Sequence, residues 1–158
     1  MRAFSVVIAV LVGCGNSSQV GGDSPEAPLR ELLASVPNGN ANAMRHALVS
    51  PDRLRKALDC PPNSNVFRDL TGAREHADDA AKQFAGAQPK TELRSLTLVG
   101  QTKISKGDNF RGCKATEAFE VRAYSFELYL AAMGGEDTKT DSGEVIQLDG
   151  AWYALLKE

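Results

Sequence analysis

The apolar period of this sequence changes once, near Thr91, and that change restricts the fold more than any other feature. Before Thr91, apolar residues recur every three or four positions, the spacing of an amphipathic helix. After it they alternate, as in a half-buried β-strand. Helices followed by strands are typical of an α+β domain. The sequence therefore predicts N-terminal helices packed on an antiparallel sheet.

Helix-start signals predict that the first half of the chain forms several short helices. Ser24-Pro25-Glu26 and Ser50-Pro51-Asp52 each combine a capping hydroxyl, a proline and an acid in the first turn. Asn42 is predicted to cap a short helix that ends at Val49, and a longer helix begins near Asn65. Its many alanines indicate close approach to a flat partner such as a sheet. Its apolar side consists of Phe67, Leu70, Ala73, Ala77, Ala81 and Phe84, and its polar side of Arg74, Glu75, Asp78, Asp79 and Lys82.

The strand predicted over residues 114–131 changes its apolar face part-way along. Phe119 and Val121 share one parity, and the later apolar residues take the other one: Tyr124, Phe126, Leu128 and Leu130. A regular strand, without a bulge, cannot bury both sets of residues on the same side of the sheet. A bulge near Arg122 or Ala123 would allow this and would bend the strand. We therefore expect a curved sheet.

The best-specified turn is Asp149-Gly150, a residue pair that favours a type I′ hairpin. It places Leu148 opposite Ala151 and Ile146 opposite Tyr153. Both faces of this hairpin are largely apolar. We therefore expect both to be covered, one by helices and the other by a partner subunit.

The chain begins MRAFSVVIAVLVGC, which has the layout of an export signal. One basic residue precedes an uncharged run over residues 3–13, about half of the roughly 20 residues that a membrane-spanning helix needs. The run ends in Leu11-Val12-Gly13-Cys14, which resembles the lipobox of bacterial lipoproteins. In that family the cysteine sulfur receives a diacylglycerol, the chain is cut before it, and the new amine is acylated.

The lipobox resemblance implies a signal peptide over residues 1–13. Residues 14–24, rich in Gly, Ser and Asn and without an apolar period, are predicted to be a flexible tether, and residues 25–158 a single domain. Two or more acyl chains on Cys14 would hold the protein stably to a bilayer. An Asp after the cysteine retains well-studied lipoproteins at the inner membrane. Gly15 stands there instead, so the resemblance implies an outer-membrane rather than an inner-membrane location in the bacterial cell envelope. The alternative is an ordinary cleaved signal in which Cys14 has no role.

Two cysteines remain once Cys14 carries lipid, namely Cys60 and Cys113. In an oxidising envelope compartment we expect them to form a disulfide. The alternative is two separately buried thiols. Neither a C-x-x-C nor an H-x-x-x-H spacing occurs, so the sequence predicts no metal site and no cofactor.

The charge pattern excludes one class of partner. The formal net charge is −2, and the basic and acidic residues are interspersed. Binding to a nucleic-acid backbone needs clustered Lys and Arg, so we expect no nucleic-acid partner. The predicted partner is the membrane, through the lipid on Cys14.

The order of elements, with a sheet that closes in VIQLDGAWY, resembles the cone-shaped α+β superfamily of nuclear transport factor two. The resemblance covers about residues 25–158. It implies that the helices and the concave face of the sheet enclose a pocket. Some members of the superfamily use that pocket for catalysis, and many use it only for binding.

Two carboxylates are the candidates for acid–base chemistry in such a pocket, because a carboxyl group among apolar residues can exchange protons near neutral pH. Glu144 shares a predicted face with Ile146, and Glu117 is in step with Phe119. The alternative is that both are solvated acids near strand ends. His46 and His76 are interpreted as surface histidines. The acidic segment 136–143 is predicted to be a solvated hairpin loop.

These observations predict a lipid-anchored, non-catalytic envelope protein that binds either a small apolar ligand or another envelope protein. Tyr124 and Trp152 are expected at the binding surface, since aromatic side chains combine a large contact area with a polar group. The open sheet face is also a candidate for homodimer formation. One alternative is a small hydrolase or isomerase that uses Glu144 or Glu117. Another is that the domain is only a spacer.

Overall fold

The computed structural model describes residues 22–35, 38–75, 90–132 and 135–155, together with Ala77, Asp79 and Lys82. The predicted signal peptide, residues 14–21 of the predicted tether, and His76 lie outside the described residues. The α+β fold is confirmed: helices precede a curved antiparallel sheet. The helices are α1 (Ala27–Ser35), α2 (Ala41–Ala47), α3 (Pro51–Ala57) and α4 (Asn65–Glu75). The strands are β1 (Leu58–Asp59), β2 (Lys90–Ile104), β3 (Asn109–Phe110), β4 (Cys113–Ala115), β5 (Phe119–Ala132), β6 (Gly135–Leu148) and β7 (Ala151–Leu155).

Side-chain caps set the starts of α2 and α3. The Ser50 hydroxyl accepts a hydrogen bond from the Arg53 amide at 3.3 Å, with Pro51 next in the chain, which confirms the predicted start of α3. The prediction that Asn42 caps α2 is wrong. The cap is Asn40, whose Oδ1 accepts from the Ala43 amide at 3.1 Å. Asn42 lies inside the helix, where its side chain accepts from Arg45 instead.

The strands form two antiparallel sheets. The large sheet has the order β2-β5-β6-β7, and the small sheet has the order β1-β4-β3. Asp149 and Gly150 have φ angles of 52° and 80°, as a type I′ turn requires. The predicted pairing of Leu148 with Ala151 and of Ile146 with Tyr153 is confirmed.

The prediction of a bulge near Arg122 or Ala123 is wrong, because β5 pairs with β6 without any register shift from Glu120 to Ala132. The register shifts lie in the facing strand β2, where Arg94 and Val99 are the extra residues. Bulges bend the strand that carries them. The bend of the sheet is therefore built into its edge strand β2.

Because β5 has no bulge, its two sets of apolar residues face opposite sides of the sheet. A different part of the chain covers each set. The ring of Phe119 contacts that of Phe110 in β3, with centroids 5.4 Å apart. On the other face, Phe126 lies near Gly143 of β6, and Leu29 of α1 packs over that position. The small sheet thus covers one face at one end of β5, and α1 covers the opposite face further along.

Residues 136–143 are part of strand β6, so the prediction that they form a loop is wrong. They pair one by one with β5, from Glu136 opposite Ala131 to Gly143 opposite Tyr124. β7 is too short to cover them, since it pairs only with residues 144–148. This half of β6 has one neighbouring strand in the described sheet, and most of its side chains are exposed to solvent. Polar residues suit such an exposed position, and this polar composition made the segment resemble a loop.

The free edge of β7 is covered by the N-terminal part of the chain. Gly22 and Trp152 exchange two backbone hydrogen bonds of 2.9 and 3.1 Å, and the Val49 amide donates to the Ala154 carbonyl at 3.0 Å. Gly22 therefore belongs to the folded domain, although the predicted domain begins at residue 25. Within the described part of the chain, no helix is both long and apolar enough to cross a bilayer.

Candidate functional site

A groove of about 780 Å³ lies where α3, β1 and α4 meet. Its volume is in the range of small-molecule sites, which is about 300–1,000 Å³. The lining combines apolar residues with charged and hydroxyl groups: Arg55, Leu58, Asp59, Cys60, Pro61, Pro62, Ser64, Phe67, Arg68, Thr71, Gly72 and Glu75. This composition is suited to a ligand with an apolar body and polar groups at its edges.

The disulfide between Cys60 and Cys113 fixes one wall of the groove. Cys113 is 1% exposed, and Cys60 is partly exposed in the groove lining. The Ser64 hydroxyl lies 3.5 Å from the Cys113 sulfur. The bond joins the loop after β1 to strand β4, across 53 residues of sequence. The structure thus brings together the two cysteines that the sequence offers for pairing.

The loop that follows the disulfide is stiff. Pro61 and Pro62 have restricted φ angles, and the Ser64 amide donates to the Pro61 carbonyl at 3.0 Å, which closes a turn. A wall that is rigid before binding loses little conformational entropy when a ligand arrives. The groove is therefore preorganised on this side.

Helix α4 forms the opposite wall. Arg68, Thr71, Gly72 and Glu75 recur at the spacing of one helix face. A Cβ atom built on Gly72 meets no heavy atom within 4 Å. The middle of this wall is therefore open space, and a side chain placed there would extend into the groove without a backbone clash.

Arginine and aromatic side chains meet at the rim of the groove. The Arg55 guanidinium lies 5.2 Å from the centroid of the Phe67 ring, a cation–π distance. Arg55 also pairs with Asp52 at 3.1 Å, in an exposed ion pair. These contacts hold a planar cation over an aromatic surface. They provide a binding rim for the groove.

Glu144 and Glu117, the predicted acid–base candidates, lie outside this groove. The Glu144 carboxylate accepts a hydrogen bond from Arg111 at 2.5 Å, and their side chains are 29% and 13% exposed. Glu117 is exposed, in the bend between β4 and β5. The structure therefore gives Glu144 an ion-pair partner and leaves Glu117 in solvent.

The prediction that Tyr124 and Trp152 form a ligand or partner surface is wrong. Their exposed fractions are 2% and 5%. Tyr124 pairs with Gly143, the position over which Leu29 packs. Trp152 is paired with Gly22 at the edge of β7, and the Arg122 guanidinium lies 4.9 Å from its ring centroid. Both aromatics are core residues because neighbours from distant parts of the chain cover them.

A cluster that the sequence did not indicate lies between α2 and α4. Arg74 donates to the Arg45 carbonyl at 2.6 Å and to the Leu48 carbonyl at 3.1 Å, and Arg45 Nε donates to the Arg74 carbonyl at 3.3 Å. Burial, together with the charge of Arg45, lowers the pKa of Arg74. Arg74 thus satisfies the carbonyls at the end of α2, where a helix leaves its last acceptors without partners.

The remaining candidates are His46, a metal site and a homodimer surface. His46 is exposed on α2. Among the described residues, no three His, Cys, Asp or Glu side chains are grouped to hold a metal ion. The described large apolar side chains that are exposed are Leu98 and Val99 of β2, at 46% and 61%. The predicted homodimer stays a prediction.

Comparison of this chain with known protein families, with curated proteins and with solved structures finds no match. The resemblances to bacterial lipoproteins and to the nuclear transport factor two superfamily therefore stay predictions drawn from the sequence.

Proposed function

We propose that this chain is a lipid-anchored protein of the bacterial envelope that binds a small, largely apolar molecule in the groove beside the Cys60–Cys113 disulfide. The anchor is Cys14, within the sequence Leu11-Val12-Gly13-Cys14. A disulfide in a small domain supports an oxidising compartment, because thiols stay reduced in the cytosol. The domain acts by binding and carries out no reaction of its own.

The observation that carries the binding role is the open space at Gly72 of α4, across the groove from the stiff loop that follows the disulfide. Phe67 and Leu58 supply apolar surface to the groove, while its sides carry two basic residues, Arg55 and Arg68, and two acidic ones, Asp59 and Glu75. A ligand with an apolar body and polar groups at its edges complements this arrangement. Its binding buries apolar area and loses little entropy in the protein.

The alternative is a small hydrolase or isomerase that uses Glu144 or Glu117. A general acid or base must lie within hydrogen-bond reach of the group whose proton it moves. Glu144 already accepts a hydrogen bond from Arg111, and Glu117 is exposed on a bend. These contacts favour binding over catalysis.

The anchor is tested by comparing the full chain with its Cys14→Ser variant in a bacterial host. We expect the wild type in the detergent-extracted membrane fraction, with a first residue heavier than cysteine by the mass of the acyl groups. Cys14→Ser should leave that fraction, whereas Ser17→Ala, a neighbouring control, should stay. A mature protein that begins elsewhere, or that begins with bare cysteine, would contradict the anchor.

The groove is tested with the mature chain carrying Cys14→Ser, exported behind an ordinary cleavable signal so that no lipid is attached. The probe is 8-anilinonaphthalene-1-sulfonate, an apolar dye with one anionic group. Gly72→Leu places a side chain in the open space and should weaken dye binding about tenfold, which corresponds to about 1.4 kcal/mol. Gly72→Ala is the matched control and should bind as the wild type does. Unchanged binding to Gly72→Leu would rule out this groove as the site.

A further inference from the structure

Gly22 occupies the end of a row of paired residues that crosses the large sheet. Gly22 pairs with Trp152, Trp152 with Gln147, Gln147 with Glu120, and Glu120 with Lys103. We call these five residues the Gly22 row. Because Gly22 exchanges both of its backbone hydrogen bonds with Trp152 of the edge strand β7, the chain is attached to the domain at this row.

The distance between Cys14 and Gly22 limits how far this row can lie from a lipid anchor. Eight residue steps separate the two positions, and a fully extended chain spans at most about 3.6 Å per residue, or about 29 Å in all. This step rests on the proposed lipidation of Cys14. Gly22, the residue of the row that is nearest to the anchor along the chain, therefore stays within about one domain diameter of the bilayer.

The opposite end of the sheet lies much further away along β6. From Gln147 back to Gly135 there are 147 − 135 = 12 residue steps. At about 3.3 Å per residue, the path along β6 from the Gly22 row to the far end of the β5–β6 hairpin is about 40 Å, and the bend of the sheet makes the direct distance shorter. The path along the strand is longer than the whole reach of the tether.

The two ends of the sheet also differ in charge. The outer half of β6 exposes Glu136, Asp137 and Asp141 against one basic residue, Lys139, so residues 135–143 carry a net charge of −2. In the Gly22 row the exposed Lys103 is matched by Glu120, so the row carries no net charge. A bilayer with anionic lipids therefore repels the outer half of β6 more strongly than the Gly22 row.

We propose that the anchored domain keeps the Gly22 end of the large sheet towards the membrane and carries the far end of the β5–β6 hairpin outward. A rigid body held by a short tether at one end, and excluded from the bilayer, keeps its other end further out on average. The far end of the β5–β6 hairpin is then the part of the large sheet furthest from the bilayer, and the Gly22 end is the membrane side.

Energy transfer to a labelled bilayer tests this orientation on the full, lipid-bearing chain. Ser24→Cys places a donor dye two residues from Gly22, and Thr138→Cys places one on the outer half of β6; both side chains are exposed. The vesicles contain phosphatidylcholine and phosphatidylglycerol with a small fraction of acceptor-labelled lipid. We expect transfer from position 24 to be several-fold greater than from position 138. Should Thr138→Cys unfold, Thr140→Cys, also exposed, gives the same reading.

A longer tether provides the second measurement. Sixteen Gly and Ser residues inserted between Ser18 and Gln19 should lower the transfer from position 24, because the Gly22 row can then leave the surface. Equal transfer from positions 24 and 138, or greater transfer from 138, would overturn the orientation while the anchor stands. Loss of all vesicle association in the wild type, with no added mass on Cys14, would overturn both the anchor and the orientation.

Discussion

Leu29 of α1 packs directly onto Gly143 of β6: a Cβ atom built on Gly143 would lie 2.8 Å from Cδ2 of Leu29. Leu29 is 3% exposed, so its side chain has little room to move aside. The contact joins the first helix to the middle of the sheet. A glycine is required there by close packing, although its φ angle is ordinary.

Replacing Gly143 with alanine should therefore lower the free energy of unfolding. Overpacking a core costs about 1–3 kcal/mol. Alanine also reduces the conformational entropy of the unfolded chain, which stabilises the folded state by about 0.4–1 kcal/mol. We therefore expect the free energy of unfolding to fall by about 1 kcal/mol in all. Urea unfolding followed by circular dichroism measures it. Gly72→Ala, in open space on α4, is the control and should raise the stability. A Gly143→Ala protein as stable as Gly72→Ala would contradict the close packing.

Arg74 should stabilise the fold through the carbonyls of Arg45 and Leu48. Arg74→Met keeps much of the apolar stem but removes both hydrogen bonds, and leaving buried acceptors unpaired costs about 1–3 kcal/mol. The control is Arg30→Met, which removes an exposed ion pair with Glu26 and should cost less than about 1 kcal/mol. Equal unfolding midpoints for the two variants would show that Arg74 does not cap α2.

Glu144 and Arg111 should show energetic coupling as a structural pair. A double-mutant cycle with Glu144→Gln and Arg111→Gln isolates their interaction, and contacting groups typically couple by about 0.5–3 kcal/mol. Glutamine is used at position 111 because, like arginine, it has an unbranched side chain on a Cβ atom, so the positive φ of 51° is strained in both proteins. Additive losses in the two single variants would leave Glu144 available for another role.

The Cys60–Cys113 disulfide should make a large contribution to stability. Closing a loop of 53 residues removes conformational entropy from the unfolded chain that is worth about 4 kcal/mol in the chain-entropy treatment. The Cys60→Ala/Cys113→Ala double variant should unfold at a much lower urea concentration than the wild type. Adding a reductant should destabilise the wild type and leave the double variant unchanged. Equal sensitivity of both proteins to the reductant would contradict the assignment.

Tyr153 should make stability fall in alkaline solution. Burial raises the pKa of its phenol above the ordinary value of about 10. Below that pH the phenol is neutral in both states and adds no pH dependence. Above it the unfolded chain loses the proton first, so the folded state binds more protons and its stability decreases as the pH rises.

Tyr153→Phe should remove this part of the alkaline loss. The Tyr153 hydroxyl is buried without a hydrogen-bond partner among the described residues, so its removal at pH 7 should be neutral or stabilising, by up to about 1 kcal/mol. Urea unfolding at pH 7 and above pH 10 measures both effects. The same alkaline slope in the variant would assign the loss to other groups.

Local signals in the sequence predicted the parts of the fold that neighbouring residues determine. Ser50-Pro51 and Asp149-Gly150 each contain the chemistry of one cap or one turn within a few residues, so α3 and the last hairpin follow directly. The prediction that residues 136–143 form a loop was wrong because this segment becomes a strand through its pairing with β5, whereas its own composition is polar. Local chemistry does not encode such distant pairing.

The candidate site was less predictable, because its parts come together only in the folded chain. The groove combines one residue of α3, the disulfide loop and one face of α4, and Gly72 matters there because of the space around it. Tyr124 and Trp152 looked suited to a surface, and α1, Gly22 and Arg122 bury them instead. Arg74 belonged to the polar side of a helical pattern, yet it reaches the end of α2.

The two bulges of β2 also bear on how readily this edge of the sheet could add a further strand. β2 has one neighbour in the described sheet, so its outer edge is a template for an incoming strand. The extra residues Arg94 and Val99 divide it into even runs of four, four and five residues. Amyloid segments need about six or seven consecutive residues in register. A strand that is long enough to nucleate a fibril is thereby interrupted into pieces that are each too short to do so.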